Sequence, residues 1–322
     1  MKKFFAILLV TLLVVSMAAC KPGTEEKKEG LTFGWSVYDM SNPFFIPMDE
    51  GVKAKCTELG ITLLPTHDNK GDATEMVTGA TALIDQGIDA LIISPFHPAS
   101  LSTVVAKAEE AGIPVIVVDI GTGGCKVDAF IQSDMRNGGQ QAGDYFLKIV
   151  GDYEITSKNV AIIKVETSAT EAQVRGEGFK DQVVPAGYKV VQEEHADSSK
   201  DKAYTVMLDY IATYGSDLAA VFCENDEMAL GAAAAIDEKG LTGKILVFGY
   251  DGNQAAVDAC KAGSMHGTAA QDPFGMGAYG VELAKMICDG KALPATEYTN
   301  ADGNKFYRFP MFMIGKDGQK VG

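Results

Sequence analysis

The stretch Val221-Phe222-Cys223-Glu224-Asn225-Asp226-Glu227-Met228-Ala229-Leu230-Gly231 joins an apolar run to an abrupt polar end. Leu218 to Cys223 reads as a short buried strand, and a small-residue helix begins near Glu227 with Asp226 as its N-cap. Asn225 then sits at the carboxyl end of a strand, where open parallel sheets bind ligands, and its amide offers both a donor and an acceptor. Other apolar runs end the same way. The first leads into Tyr38-Asp39-Met40-Ser41-Asn42-Pro43-Phe44-Phe45, where Pro43 can open a helix whose first turn holds Phe44 and Phe45. Later runs end in Val118-Asp119, Ser133-Asp134, Gly249-Tyr250-Asp251-Gly252 and Gln271-Asp272-Pro273. Arg175 stands at the start of a helix in Val174-Arg175-Gly176-Glu177-Gly178-Phe179.

One such end is what any strand-to-helix turn looks like. The set is more informative. Carboxylates accept from paired hydroxyls, amides donate and accept, and a guanidinium donates in a fork. Aromatic faces pack on the C–H side of a ring. These types together suit a sugar or polyol. Enzyme signatures are missing from the sequence. Gly34-Trp35-Ser36 after the first strand supplies no G-x-G-x-x-G, Gly121-Thr122-Gly123-Gly124 reads as a loop, and neither G-x-S-x-G nor H-E-x-x-H occurs. His67, His97, His195 and His266 are scattered, although His97 follows a strand end and could sit near a cleft. No catalytic residue, cofactor or metal site is expected.

The elements that must position these groups alternate. Strand-like runs occur at 32–37, 61–64, 90–94, 115–118, 160–165, 189–191, 218–223, 245–248 and 265–269. Helical patterns fill most of the gaps, at 48–59, 73–86, 101–111, 137–150, 203–214, 228–239 and 275–288. This is an α/β chain with parallel sheets covered on both faces, long enough for two lobes. No short repeat is visible.

The N-terminus sets the compartment. Lys2 and Lys3 precede an apolar run from Phe4 to Met17, followed by Ala18-Ala19-Cys20. This reads as a signal peptide over 1–19, too short to span a bilayer comfortably. Its end resembles a bacterial lipobox, which makes Cys20 the lipidated first residue and 20–30 a charged, flexible tether. The chain carries 28 Lys+Arg against 43 Asp+Glu, a net charge of −15 that falls to −17 once Lys2 and Lys3 are removed. That sign disfavours nucleic acid and anionic lipid, so the membrane is reached only through the lipid on Cys20. Cys56, Cys125, Cys223, Cys260 and Cys288 form no disulfide framework, with a bridge between Cys260 and Cys288 left open.

In order, Asn42-Pro43-Phe44-Phe45, Val118-Asp119, Ser133-Asp134, Arg175 to Phe179, Asn225 to Gly231, Gly249 to Gly252 and Gln271 resemble the ribose-type substrate-binding proteins of bacterial ABC sugar importers. The resemblance covers essentially all of the chain after the tether. It implies the type I periplasmic binding protein fold: two Rossmann-like lobes, a hinge of three segments, and the ligand in the cleft between them. By analogy the first lobe spans 31–133 plus about 272–305, and the second spans 134–271 plus about 306–322. The residues implied at the ligand are Asn42, Phe44, Phe45, Asp119, Ser133, Arg175, Asn225, Asp251 and Gln271, with Tyr38 and Tyr250 also facing it. The implied protein is a monomer on the extracellular face of the cell membrane. It delivers a small neutral sugar or polyol to an ABC permease, or senses it without import. A repressor sharing this fold would need a helix-turn-helix domain before Leu31. Where the ribose binders place an Arg after the strand-four Asp, this chain has Ile120, and where they place an aromatic in the second-lobe loop it has Ser198. Tyr38 replaces a small polar residue. These departures point past ribose to another monosaccharide, a polyol or a furanose-like signal molecule. The segment Thr296 to Lys305 is longer than in the ribose binders.

Overall fold

Each apolar run seen in the sequence pairs into one of two sheets. The computed structural model describes residues 30–169, 172–296, 298–300 and 303–321. Signal peptide, Cys20 and most of the tether lie outside those residues. In chain order the elements are β1 (Thr32–Val37), α1 (Phe45–Glu58), β2 (Thr62–Leu63), β3 (His67–Asp68), α2 (Ala73–Asp85), β4 (Ala90–Ile93), α3 (Leu101–Ala111), β5 (Val115–Val118) and β6 (Ala129–Ser133). They continue with α4 (Met135–Ile149), β7 (Asn159–Lys164), α5 (Val174–Val183), β8 (Lys189–His195), α6 (Lys200–Tyr214), β9 (Ala220–Cys223), α7 (Asp226–Glu238), β10 (Leu246–Asp251), α8 (Gln254–Ala262) and β11 (Gly267–Ala270). Last come α9 (Pro273–Cys288), β12 (Tyr298–Thr299), β13 (Lys305–Phe309) and β14 (Phe312–Ile314).

The first sheet runs β12-β13-β6-β5-β4-β1-β2, with β3 also beside β1. The second runs β14-β11-β10-β9-β7-β8. Both are mixed rather than wholly parallel, because β12 meets β13 and β14 meets β11 antiparallel. Four apolar clusters fill the two faces of the two sheets. Strands buried on both faces need continuous apolar sequence, which is what β4, β5 and β9 have. Helix starts carry side-chain caps: Asp72 accepts from the Glu75 amide and Asp272 from the Gly275 amide, the latter just before Pro273.

The chain crosses between the sheets after β6, after β11 and after β13. The third crossing is later than expected. The resemblance places residues 306–309 in the second lobe, but β13 pairs with β6 in the first sheet as far as Phe309 opposite Ser133. Within the long segment from Thr296 to Lys305, Tyr298 and Thr299 form β12, which pairs with β13 and widens the first sheet. Asn304 ties it down, accepting from the Val127 amide and donating to the Cys125 carbonyl, each at 2.9 Å. Two local expectations are corrected. Helix α1 begins at Phe45, two residues beyond Pro43, because Pro43 sits in a turn closed by the Phe45 amide donating to the Asn42 carbonyl. Cys260 and Cys288 are free thiols on α8 and α9, which pack in different lobes, so they form no bridge.

Candidate functional site

The carboxyl ends of both sheets converge on one small cavity between the lobes, and such interfaces are where ligand sites commonly form. In each sheet the strand order reverses beside the first strand, β1 and β7, which is where an open sheet leaves a crevice. Tyr38, Asn42, Phe44, Phe45 and Asp119 line the cavity from the first lobe; Arg175, Asn225 and Asp251 line it from the second.

Asp119 follows β5 with a left-handed backbone, φ 70°, and is buried. Its Oδ1 has no hydrogen-bond partner. Burial pushes its pKa up to about 7; Arg175 pulls it down and Asp251 adds to the rise. Arg175, on the first turn of α5, is held from three sides. Its Nη1 donates to the Glu224 carbonyl at 2.7 Å and to Asp251 Oδ1 at 3.3 Å. Its guanidinium lies 4.1 Å over the Tyr250 ring. Its Nε is buried without a partner. Glu224 braces this arrangement by accepting from the Val165 and Gly176 amides at 3.0 and 3.2 Å, and burial pushes its pKa up to about 7.

The close approach of α5 to α4 fixes where Arg175 emerges. A Cβ at Gly139 on α4 would stand 1.9 Å from the Arg175 carbonyl oxygen, and one at Gly178 would stand 2.1 Å from that of Arg136. Both positions need glycine for packing rather than for backbone freedom.

Asn225, not Asp226, caps α7: its Oδ1 accepts from the Met228 amide at 2.9 Å. The amide oxygen is therefore spent on the helix, and the NH₂ group remains for the cavity. Asn42 is used the same way, with its Oδ1 on the Phe44 amide at 3.0 Å. Asp226 instead accepts from Thr268 Oγ1 and the Asn253 amide, each at 2.7 Å, joining α7 to β11 and to the segment after β10. Burial raises the pKa of both Asp226 and Asp251; Arg175 and the Gln271 amide counter the rise at Asp251.

Three expected ligand residues do not line the cavity. Tyr250 lies beneath Arg175 and donates to the Met135 carbonyl at 3.1 Å. Alternation along β10 explains this, since Tyr250 and Asp251 must point to opposite faces. Gln271 Nε2 donates to Asp251 Oδ1 at 2.7 Å. Ser133 is buried with its Oγ against the Met276 sulfur at 3.4 Å. They form a layer behind the cavity. His97 is exposed and hydrogen-bonds Ser100 instead of approaching the cavity.

Glu166 was not foreseen. It lines the cavity directly after β7, with Ser198 and Ile120 nearby. Its Oε1 accepts from the Tyr38 hydroxyl of the other lobe at 2.5 Å, and its Oε2 accepts from Ser198 Oγ at 2.7 Å. The signal was the one used elsewhere, a polar residue ending an apolar run, here Val160 to Val165. Tyr38 itself is stacked on Phe45, centroids 5.0 Å apart at 15°, and tilted against Phe96 at the same separation. Burial and Glu166 both raise its pKa, so the phenol stays a donor.

Among the described residues no group of three His, Cys, Asp or Glu could hold a metal ion, and no helix is long and apolar enough to cross a membrane.

Known proteins share this architecture. The family described as periplasmic binding protein domain matches residues 33–292. The ribose import binding protein RbsB of Bacillus subtilis (strain 168) is 32% identical over 304 residues, covering 92% of this chain and 96% of its own length. An ABC transporter solute binding protein from Mycobacterium smegmatis, solved with bound glycerol, is 27% identical with a TM-score of 0.79, covering 89% of this chain and 94% of that one. A periplasmic solute binding protein of an ABC transporter from Actinobacillus succinogenes 130z, solved with bound D-allose, also gives a TM-score of 0.79. It covers 89% of this chain and 98% of its own, and at 24% identity it speaks for the fold.

Proposed function

The chain belongs to the periplasmic binding protein family, and from that premise we propose that it captures one small neutral sugar or polyol in the interlobe cavity and presents it to an ABC permease. Family members are substrate-binding proteins of importers, not enzymes. The observation that carries the reading is a pair of opposite charges, one from each lobe, whose buried polar atoms lack partners: Asp119 Oδ1 and Arg175 Nε. A ligand with several hydroxyls answers both. It would donate to Asp119 and Asp251 and accept from Arg175, Asn42 and Asn225, with Phe44 and Phe45 against its C–H face.

Such a ligand favours closure because it touches both lobes. Moving the lobes from 1:99 to 99:1 closed takes ~5.5 kcal/mol of preference. Hydrogen bonds to charged groups contribute roughly 1.5–3 kcal/mol each, so two to four formed on closure suffice. Cys20, lipidated, would hold the protein as a monomer at the outer face of the cell membrane, with 21–30 as its tether. A thermal-shift screen against monosaccharides and polyols tests the reading, since a ligand that binds the folded state raises the melting temperature. No shift from any of them refutes it.

A further inference from the structure

On its Tyr38 side the inner cavity meets a second space. This outer chamber, of about 430 Å³, is lined by Asp39, Lys70, Phe96, Asp197 and Glu227 among others. Tyr38, Asn42, Glu166 and Ser198 border both spaces. Between two of them runs a direct bond from lobe to lobe, Tyr38 hydroxyl to Glu166 carboxylate at 2.5 Å. Each end of the bond is fixed. The Tyr38 ring is held between Phe45 and Phe96, and the second Glu166 oxygen is held by Ser198.

We propose that the Tyr38–Glu166 clasp is a size-selecting wall that limits this site to a ligand of a single sugar or polyol unit and excludes ligands carrying a second ring. The inference rests on the sugar-or-polyol reading above. When the lobes close, the clasp seals the inner cavity from the outer chamber. A substituent directed toward residues 38 and 166 would have to stand where the phenol and carboxylate meet. It would prevent their bond and hold the lobes apart. A packed site tolerates such overfilling poorly. Removing the phenol would merge the two spaces, and the outer chamber has the aromatic ring of Phe96 and several polar groups with which to receive a second ring. The clasp also adds a protein–protein contact to the closed state, so that closure does not depend on the ligand alone.

The test is calorimetric titration of the wild type, Tyr38→Ser and Glu166→Ala with two probe sets. D-ribose, D-allose and xylitol are the single units; adenosine, maltose and sucrose carry a second ring. The wild type should prefer its best single-unit probe by about a hundredfold or more, the scale on which a tight pocket discriminates by size. Tyr38→Ser should narrow that preference by about tenfold or more. Glu166→Ala removes the other half of the wall without touching the aromatic stack, and should act in the same direction if Tyr38→Ser does not fold. A wild type that binds both sets within about tenfold, or folded variants that keep the full preference, overturns the size-selection proposal alone. Failure of all six probes to bind the wild type counts instead against the sugar-or-polyol reading on which it rests.

Discussion

Asp119 makes ligand affinity depend on pH in a direction fixed by its surroundings. Its carboxyl is buried and its pKa is pushed up to about 7, with Arg175 pulling it down and Asp251 opposing ionisation. A hydroxyl that donates to Oδ1 is held more strongly by the ionised form. With that pKa, on the order of one carboxyl in ten is ionised at pH 6 and nine in ten at pH 8. Affinity should therefore rise about tenfold, or ~1.4 kcal/mol, from pH 6 to pH 8. Binding at pH 7 should release about half a proton, seen in calorimetry as a heat that varies with the ionisation enthalpy of the buffer. The stability of the unliganded protein should follow the opposite trend. Its Asp119 pKa lies above the ordinary value of 3.8, so the folded chain holds a proton that the unfolded chain gives up between about pH 4 and 7. This group's contribution to stability thus falls as pH rises through that window and is level above it. Asp119→Asn should bind weakly and keep only the roughly twofold slope left by Asp251, whose pKa burial pushes up to about 6. An affinity changing less than about twofold between pH 6 and 8, or a slope that Asp119→Asn leaves at full size, refutes the argument.

Arg175→Lys keeps a cation beside Asp251 but loses the fork and the stacking on Tyr250, so affinity should fall by about tenfold or more; Arg175→Ala leaves the buried Asp251 unpaired and should cost about 3–5 kcal/mol in a denaturant melt as well. Asn225→Ser should keep the α7 cap, with the melting temperature nearly unchanged, yet weaken binding several-fold by withdrawing the amide NH₂. Asn225→Ala should add a stability loss of about 1 kcal/mol. Gly139→Ala must push α5 away from α4, which should cost about 1–3 kcal/mol and reduce affinity by displacing Arg175 although residue 139 does not line the interlobe cavity. Cys20→Ala should move the protein from the membrane fraction to the soluble one; retention in membranes contradicts the lipid anchor.

Strand ends were the most legible part of the site. Asn42, Asp119, Asn225 and Asp251 each follow or end an apolar run, and each lines the cavity. What the order of residues does not display is which of two adjacent polar groups turns inward. Asn225 and Asp226 both resemble caps, and the choice falls to Asp226 finding Thr268 and the Asn253 amide on other elements. Tyr250 and Gln271 looked equivalent to Asp251, yet both serve to hold Asp251 and Arg175 in place. Glu166 escaped notice because its partner Tyr38 is 128 residues away and lies in the other lobe. The limit at 305 failed for a related reason: the strand 305–309 is short and mixed in polarity, so nothing local says which sheet it joins.

Two of the carboxylates that line the cavity are set on strained backbone. Asp119 at φ 70° and Asp251 at φ 115° occupy a region that side chains with a Cβ avoid, and such strain costs on the order of 1–3 kcal/mol per residue. Glycine would relieve it at either place. At Asp119, whose Oδ1 has no partner, glycine should raise the melting temperature while it weakens the site. At Asp251 the relief is outweighed, because the buried guanidinium of Arg175 would lose its carboxylate.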